Sequence, residues 1–189
     1  MTLEERRKLL VTLLIDPDEE VRAASAACME LLESFQDLTQ ILTNLNSDKR
    51  GLRVKAIFAM EWIKSPEVFP PLLECLKDPD PDIRAAAIQV LGSKGHPNSL
   101  NSLVRHLKDP APAVRVHTAE ALGHFTDPRL VPYLAALLKD ADEQLVISAA
   151  RSLGKLRTVE AAAPLAGLVK DPRAAVRKAA VEALGNVPL

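Results

Sequence analysis

A 31-residue period runs through the chain and constrains its fold more than any other feature of the sequence. One position of the period carries an aspartate that opens a turn, at residues 16, 78, 109, 140 and 171, with Ser47 at the remaining position. Five residues later every unit has an aliphatic residue: Val21, Leu52, Ile83, Val114, Leu145 and Val176. No insertion or deletion interrupts the register. Such self-similarity is typical of stacked repeats, and it predicts six units.

Each unit is predicted to form two helices. Asp127 followed by Pro128 is a helix start, because aspartate caps the first turn and proline fits the first helical position. The second helix begins after the aspartate turn, as at Asp80-Pro81, and its apolar residues recur at helical spacing. One helical hairpin cannot bury its own apolar stripe, so stacked neighbours must close the core. We therefore expect an all-α α-solenoid in a single domain, with units at about 1–33, 34–64, 65–95, 96–126, 127–157 and 158–189.

Composition agrees with a helical core and excludes several classes of protein. Aromatic residues make up 3% of the chain and hydrophobic residues 48%, so the core must consist of aliphatic side chains. The net charge is −1, whereas a nucleic-acid-binding domain normally carries a basic excess. No apolar run reaches the roughly 20 residues of a membrane span. The two cysteines form no Cys-x-x-Cys pair, which favours a reducing compartment and a cytoplasmic location.

Glycine recurs near the end of the second helix, at Gly92, Gly123, Gly154 and Gly185. A helical glycine costs about 1 kcal/mol relative to alanine, so its recurrence predicts a close approach of the next unit. The first two units carry Glu30 and Glu61 at this position. We expect those two joints to be packed less tightly.

The recurring core of the period resembles the HEAT repeat. It is represented by a Lys-Asp-Pro turn, then Val114-Arg115, then Ala119-Glu120-Ala121-Leu122-Gly123. The pattern is most similar to the short subtype that is also seen in phycobilisome lyase subunits, and it covers essentially the whole chain. The resemblance implies a right-handed superhelix whose second helices line a concave binding face. It does not define a function, because this repeat serves many unrelated roles.

An arginine follows the turn aspartate after six residues in most units. Arginine can form two parallel hydrogen bonds with a carboxylate and can also reach turn carbonyls. The HEAT resemblance implies a structural ladder along the turns, made of Asp16, Arg22, Arg53, Asp78, Arg84, Asp109, Arg115, Asp171 and Arg177. Each arginine is expected beside the aspartate of its own turn. Unit five has Val146 in this column, which predicts that Asp140 lacks its partner.

Two columns of the second helix change residue type from unit to unit and are the predicted partner-binding positions of the concave face. They contribute Leu31, Phe58, Trp62, Gln89, Ser93, Glu120, His124, Arg151 and Lys155. Phe58 and Trp62 are four residues apart and are expected on one helix face, where exposed aromatic rings would anchor a partner. The alternative is that these two rings cover a loosely packed joint or pack on a neighbouring segment.

The sequence offers little for catalysis or metal binding. His117 and His124 are seven residues apart and so lie about 10.5 Å from each other along a helix axis, too far to share one metal ion with Glu120. HEAT-like deoxyhypusine hydroxylases place adjacent His-Glu pairs in several units, and this chain has no such dipeptide. Cys28 is interpreted as a small core residue. We therefore expect no enzymatic activity and no cofactor.

These features favour a scaffold or adaptor that binds a protein or peptide. Two alternatives stay open: a bilin-lyase-like subunit, because of the shared repeat subtype, and a nucleic-acid-binding or DNA-repair protein, for which the mixed-charge face is a poor match. Solenoid ends without a polar cap tend to associate, so the pattern also allows weak end-to-end self-association. The sequence does not decide whether the chain is complete or part of a longer array.

Overall fold

The computed structural model describes residues 2–188, except for the side chains of Leu3, Leu31 and residues 33–37. Within this range the regular structure is helical and contains no strand, which confirms the all-α prediction. None of the described helices has the length and apolar content that a membrane crossing requires.

The helices alternate between short and long segments along most of the chain. Their bounds are α1 (Leu3–Leu13), α2 (Glu19–Leu45), α3 (Arg50–Ala59), α4 (Phe69–Cys75), α5 (Pro81–Lys94), α6 (Leu100–His106), α7 (Pro112–Leu122), α8 (Val131–Leu137), α9 (Glu143–Lys155), α10 (Ala162–Gly167) and α11 (Ala174–Leu184). Short 3₁₀ turns precede α4, α6, α8 and α10, at Pro66–Val68, Pro97–Ser99, Pro128–Leu130 and Val159–Ala161, and a further one, Leu168–Lys170, follows α10.

The predicted helix starts are present. At the first helix the Thr2 hydroxyl accepts from the Glu5 amide at 3.2 Å, and the Glu5 carboxylate accepts from the Thr2 amide at 2.7 Å. At Asp127-Pro128 the carboxylate accepts from the Arg129 amide at 2.9 Å. The turn that follows is 3₁₀, so the α-helix proper begins three residues after the proline.

The C-terminal compact unit, Leu72–Leu189, is a stack of long helices. Helix α5 packs against α7, α7 against α9, and α9 against α11, while the short helices α6, α8 and α10 each pack on the long helix that follows them. The aliphatic column that the period predicted is buried here: Ile83 is 1% exposed, and Val114, Leu145 and Val176 are 0% exposed. Successive hairpins in this unit therefore share one aliphatic core.

The glycine column marks the closest approach between the long helices of this unit. A Cβ added at Gly92 would lie 2.5 Å from the Ala121 Cβ, and one added at Gly154 would lie 2.7 Å from the Ala183 Cα. Gly123 faces Ser152 in the same way, with its Cβ at 2.8 Å. A Cβ at Gly185 would meet only carbonyls of its own helix, at 3.5 Å or more. The predicted close approach is confirmed at three of the four glycines.

The N-terminal compact unit, Met1–Pro71, is built differently. Helix α1 packs on α2, and α2 packs on α3. Helix α2 is 27 residues long and passes without a turn through the expected boundary between units one and two at residues 33 and 34. Units three to five interrupt the chain at this point with proline, at Pro66, Pro97 and Pro128, and the last unit interrupts it at Val159 without one, whereas Phe35 occupies the position here. Proline is incompatible with a helix interior, so its absence removes one signal that would end α2.

Candidate interaction surfaces

The predicted binding positions of the C-terminal unit lie on consecutive long helices. We call them the long-helix row: Gln89, Ser93, Glu120, His124, Arg151 and Lys155. All are exposed except Gln89, which is half-buried. His124 lies just beyond the end of α7, whereas the others lie within α5, α7 and α9. Because α5, α7 and α9 pack side by side, the row continues from one helix to the next.

Glu120 is held in place by contacts with two helices. Its Oε1 accepts a hydrogen bond from the Ser148 hydroxyl of α9 at 3.1 Å, and its Oε2 lies 3.3 Å from the Nδ1 of His117 on α7. Ser148 is buried at the α7–α9 joint. The carboxylate is therefore oriented rather than free to rotate, and Ser148 is a contributor that sequence columns did not single out.

The imidazole of His124 interacts electrostatically with the charges of Lys155 and Glu120. Burial lowers the pKa of His124, the positive charge of Lys155 lowers it further, and Glu120 opposes the shift. The lowered pKa favours the neutral form of the imidazole. A neutral imidazole can donate or accept a hydrogen bond to a partner without adding charge.

Arg151 and Lys155 are the unpaired charges of the row. They are exposed, four residues apart on α9, and within the described part of the chain neither forms a hydrogen bond or an ion pair. Residues at this spacing share a helix face. Two adjacent cations without partners are suited to a carboxylate or another anionic group of a partner.

A cleft of about 440 Å³ opens next to His124 at the C-terminal end of α7. It lies between two consecutive turns, and it is lined by Gly95, Pro97, Leu100, His124, Phe125, Thr126, Asp127, Pro128 and Arg129. Arg129 binds Asp127 through several hydrogen bonds, the shortest 2.6 Å. The cleft is large enough for one side chain of a partner. Most of its residues come from the surrounding turns, which the helical columns could not indicate, whereas His124 belongs to a predicted column.

The aromatic pair of the N-terminal unit is exposed. Phe58 is 38% exposed and Trp62 is 82% exposed. The expected placement on one helix face was wrong, because α3 ends at Ala59 and Trp62 follows in a turn closed by the Trp62 amide on the Ala59 carbonyl at 3.3 Å. The side chain of Leu31 lies outside the described residues, so its predicted role beside this pair stays a prediction.

Cys28 does not fill the core. Its side chain is exposed on α2, whereas Cys75 is buried. The column of Cys28 is buried in the C-terminal unit, at Ala121, Ser152 and Ala183, because the preceding long helix covers it there. Among the described residues no group of three His, Cys, Asp or Glu side chains could hold a metal ion.

The arginine ladder binds backbone as well as carboxylate. Arg84 Nη1 donates to the carbonyls of Asp78 (2.8 Å) and Pro79 (3.0 Å) in its own turn. Its Nε and Nη2 donate to the two carboxylate oxygens of Asp109 in the next turn, both at 2.8 Å. The pairing thus differs from the expected one, since the carboxylate comes from the following unit. Arg22, Arg115 and Arg177 bind the two carbonyls of their own turns in the same way.

The turn aspartates use their carboxylates to close their own turns. Each accepts the amide two residues on, as Asp109 accepts from Ala111 at 2.9 Å. Burial alone would raise the pKa of Asp109, but the hydrogen bonds from Arg84 and from the Ala111 amide outweigh it and hold the pKa below its ordinary value. Asp109 therefore links two adjacent turns as an ionised group.

The unit that lacks a ladder arginine receives one from the next turn. Val146 replaces arginine, and Arg173 Nη1 instead approaches the carbonyls of Asp140 (3.4 Å) and Ala141 (3.5 Å). Arg173 Nε and Nη2 bind the Asp171 carboxylate at 2.9 and 3.0 Å. Arg173 thus binds two turn carbonyls and one aspartate carboxylate, as Arg84 does. The Asp140 turn thus has an arginine after all, which the regular column could not reveal because Arg173 lies outside it.

Stacked helical hairpins with arginines bound across their turns define an α-solenoid repeat protein. The family described as HEAT repeats matches residues 35–113 and 100–185. The chain therefore belongs to the HEAT-repeat family.

Solved structures with the same fold include natural and designed proteins. The chain is 22% identical to the YibA protein of Escherichia coli, with a TM-score of 0.64, over 96% of this chain and 72% of YibA. It is 21% identical to a chain of the CpcE–CpcF complex of phycocyanin lyase from Nostoc, with a TM-score of 0.69, over 79% of this chain and 64% of that one.

A designed armadillo repeat protein in complex with the peptide (KR)4 is 18% identical, with a TM-score of 0.58, over 95% of this chain and 98% of the designed one. No curated protein matches the sequence. At these identities the likenesses establish a shared fold.

Proposed function

We propose that the chain is a non-enzymatic scaffold that binds a protein or peptide through exposed side chains of its helices. The observation that carries the proposal is the 82% exposure of Trp62. A buried apolar surface gains about 25 cal/mol per Å², and an indole ring left in water forgoes that gain. Tryptophan is also enriched among the residues that dominate protein interfaces. Trp62, with Phe58 nearby in sequence, is the proposed anchor.

The long-helix row supports the same function on the C-terminal unit. The buried columns of the long helices keep the same residue type from unit to unit. The exposed positions of the row do not, and change from Glu120 on α7 to Arg151 and Lys155 on α9. Side chains that are not needed for packing are available for selectivity. The oriented Glu120 suits a basic or hydroxyl group of a partner, and the unpaired Arg151 and Lys155 suit an acidic one.

The designed armadillo repeat protein, which has a similar fold, is in complex with the peptide (KR)4. This structural similarity supports a peptide as the class of ligand for this chain, but it does not indicate the sequence of that peptide. The row in this chain carries both signs of charge, so we expect a mixed-charge segment rather than a purely basic one.

The first test uses the intrinsic fluorescence of the full chain, because Trp62 is the only tryptophan. We expect red-shifted emission that acrylamide quenches efficiently in the free protein. A bound partner should shift the emission to the blue and protect it. Blue-shifted, unquenchable emission from the free protein would show a packed ring and would argue against the anchor.

The second test is affinity capture with the wild type and with the Phe58→Ala/Trp62→Ala double variant. Tyr133→Ala is the matched control, since Tyr133 is likewise an exposed aromatic residue, at 51%, and belongs neither to the aromatic pair nor to the long-helix row. We expect the double variant to lose a specific captured protein that the wild type and the control both retain. Equal capture by all three would contradict the proposal.

The lyase-like alternative and the nucleic-acid-binding alternative rest on fold alone. A bilin-dependent change in absorbance on mixing would support the first. A DNA mobility shift that weakens steeply with salt would support the second. We expect neither.

A further inference from the structure

The cleft at the C-terminal end of α7 is lined by apolar side chains as well as polar ones. Four of its lining residues are apolar: Phe125, which is 7% exposed, the half-buried Leu100, and the exposed Pro97 and Pro128. Concave sites of this kind, apolar with a few placed polar groups, are the usual sites for the apolar group of a ligand. We call this site the α7 cleft.

Arg129 is held at the α7 cleft by Asp127. Its Nε donates to Asp127 Oδ1 at 3.0 Å, and its Nη2 donates to Oδ2 at 2.6 Å. The two charges neutralise each other, while the side chain of Arg129 stays 84% exposed. A guanidinium that is fixed in this way can stack against an aromatic ring. An aromatic side chain therefore fits the cleft better than an aliphatic one.

Two cations without partners lie close to the cleft. His124 lines the cleft, and its equivalent 31 residues further on is Lys155, at the end of the neighbouring helix α9. The positive charge of Lys155 contributes to the lowered pKa of His124, as expected of two side chains on packed helices. Arg151 lies one turn before Lys155, and neither cation has a partner within the described part of the chain.

The carboxylates on the neighbouring helices do not cancel these two charges. Glu120 accepts from the Ser148 hydroxyl at 3.1 Å and lies 3.3 Å from the Nδ1 of His117. Glu182, at the equivalent position on α11, pairs with Lys178 at 3.8 Å. The surface of α9 beside the cleft therefore stays positive, and it is complementary to a carboxylate of a partner.

The distance between adjacent helices sets the spacing of the two groups that a partner must supply. Packed helices lie about 8–10 Å apart, and an extended chain advances about 3.3 Å per residue. About three residues of an extended peptide therefore lead from the end of α7 to the end of α9.

We propose that the α7 cleft binds an aromatic side chain of an extended peptide, while a carboxylate about three residues away in the same peptide binds Lys155. Arg151, one turn away, adds to the attraction. The inference rests on the proposed function and deepens it, because it names the chemistry and the spacing of the segment that the C-terminal unit recognises.

The test is an NMR titration of the nitrogen-15-labelled full chain. The probe is the end-blocked peptide Ser-Gly-Phe-Ser-Gly-Glu-Gly-Ser, and a second peptide has the order Glu-Gly-Ser-Phe, because both chain directions satisfy the spacing. We expect saturable shifts of the Thr126 and Lys155 amides with at least one of them. Glutamine in place of the glutamate should weaken binding about two- to five-fold, as for an exposed ion pair. Alanine in place of the phenylalanine should weaken it about tenfold or more.

Two variants of the protein locate the contacts. Lys155→Gln should weaken the probe as much as the glutamine peptide is weakened, and it should leave the affinity for the glutamine peptide unchanged, as a double-mutant cycle requires of a direct contact. Lys170→Gln is the control, because Lys170 is exposed and belongs neither to the α7 cleft nor to the long-helix row. Arg129→Lys keeps the charge but loses the planar guanidinium, and it should weaken the probe about two- to five-fold.

The absence of saturable shifts with both peptides overturns the proposal. So does equal affinity for a peptide in which phenylalanine and glutamate are adjacent, or a Lys155→Gln effect that is the same for the glutamate and glutamine peptides. The changes in the peptide keep the test decisive even if a protein variant fails to fold. None of these measurements involves Trp62, so the α7 cleft can fail while the Trp62 anchor stands, and the reverse.

Discussion

Arg84 bridges two turns, and its loss should be costly. The side chain of Asp109 is 5% exposed and that of Arg84 is 12% exposed. Arg84→Ala removes both hydrogen bonds to the Asp109 carboxylate and leaves a nearly buried acceptor short of partners, which costs about 1–3 kcal/mol. We expect this loss in urea unfolding of the full chain. Lys139→Ala, at an exposed position, should stay within about 0.5 kcal/mol. Equal, negligible losses for both variants would contradict a stabilising ladder.

Asp171 gives the protein an acid-sensitive contribution to stability. The hydrogen bonds from the side chain and the amide of Arg173 lower the pKa of Asp171 from its ordinary 3.8 to about 2. A carboxylate with a lowered folded-state pKa stabilises the fold above the unfolded value, and the contribution is lost as pH falls from 3.8 towards 2. The difference in Tm between wild type and Arg173→Ala should therefore be present at pH 7 and shrink across this window. A difference that stays constant in acid would exclude the ion pair as its cause.

Residue-level predictions from the sequence succeeded where a side chain acts within its own repeat. The ladder arginines were predicted to reach turn carbonyls, and Arg22, Arg115 and Arg177 do so. The Asp109 partner of Arg84 could not be predicted, because the distance between adjacent turns depends on how closely the hairpins stack.

At the scale of helices, the glycine column sets how closely the long helices approach. Gly92→Ala would place a methyl group 2.5 Å from the Ala121 Cβ, and such overpacking costs about 1–3 kcal/mol. Gly185→Ala meets no neighbouring helix and should raise stability by up to about 1 kcal/mol through helix propensity. Chemical unfolding of both variants checks the contrast. Two variants that destabilise equally would show that the glycines serve something other than packing.

Helix boundaries were predictable wherever the chain carries a chemical stop or start. Thr2 and Asp127 cap helices as expected. The turn expected between the first two units is absent: Ser34-Phe35 lacks the proline that follows Ser65 and Asp127, although Thr158-Val159 shows that a turn can form without one. Trp62 was misplaced for the opposite reason. Only one turn beyond Phe58, it lies past the end of α3 at Ala59, a boundary marked by neither glycine nor proline.

At the scale of the whole chain, the two compact units should differ in local stability. Among the described side chains, the column residues Val21 and Leu52 are 37% and 39% exposed, whereas their equivalents in the C-terminal unit are essentially buried. Segments with few buried apolar contacts open at low free-energy cost. Native-state hydrogen exchange followed by mass spectrometry should therefore show faster exchange in α1 and α2 than in α7 and α9. Uniform protection across the chain would contradict this.

The 31-residue period predicted the architecture of the whole chain, but it did not predict how the N-terminal unit departs from regular packing. The 31-residue register identifies which columns must pack, and from Ile83 onward that prediction is confirmed. The same register fits the N-terminal unit equally well as a sequence, yet there the column is a third exposed. The exposure of a column residue depends on how closely the neighbouring helix covers it. The repeat pattern identifies the residue but does not give that distance.

The arginine supplied by Arg173 limits how freely this array can be rearranged. In a regular solenoid one module can be cut out, duplicated or grafted elsewhere. Here the turn at Asp140 is bound by the guanidinium of Arg173, which belongs to the following unit. The last two units therefore have to be transferred together if this contact is to be kept. A chimaera that receives residues 127–157 alone would contain Val146 but not Arg173, so the carbonyls of the Asp140 turn would have no arginine donor. Val146→Arg should restore one.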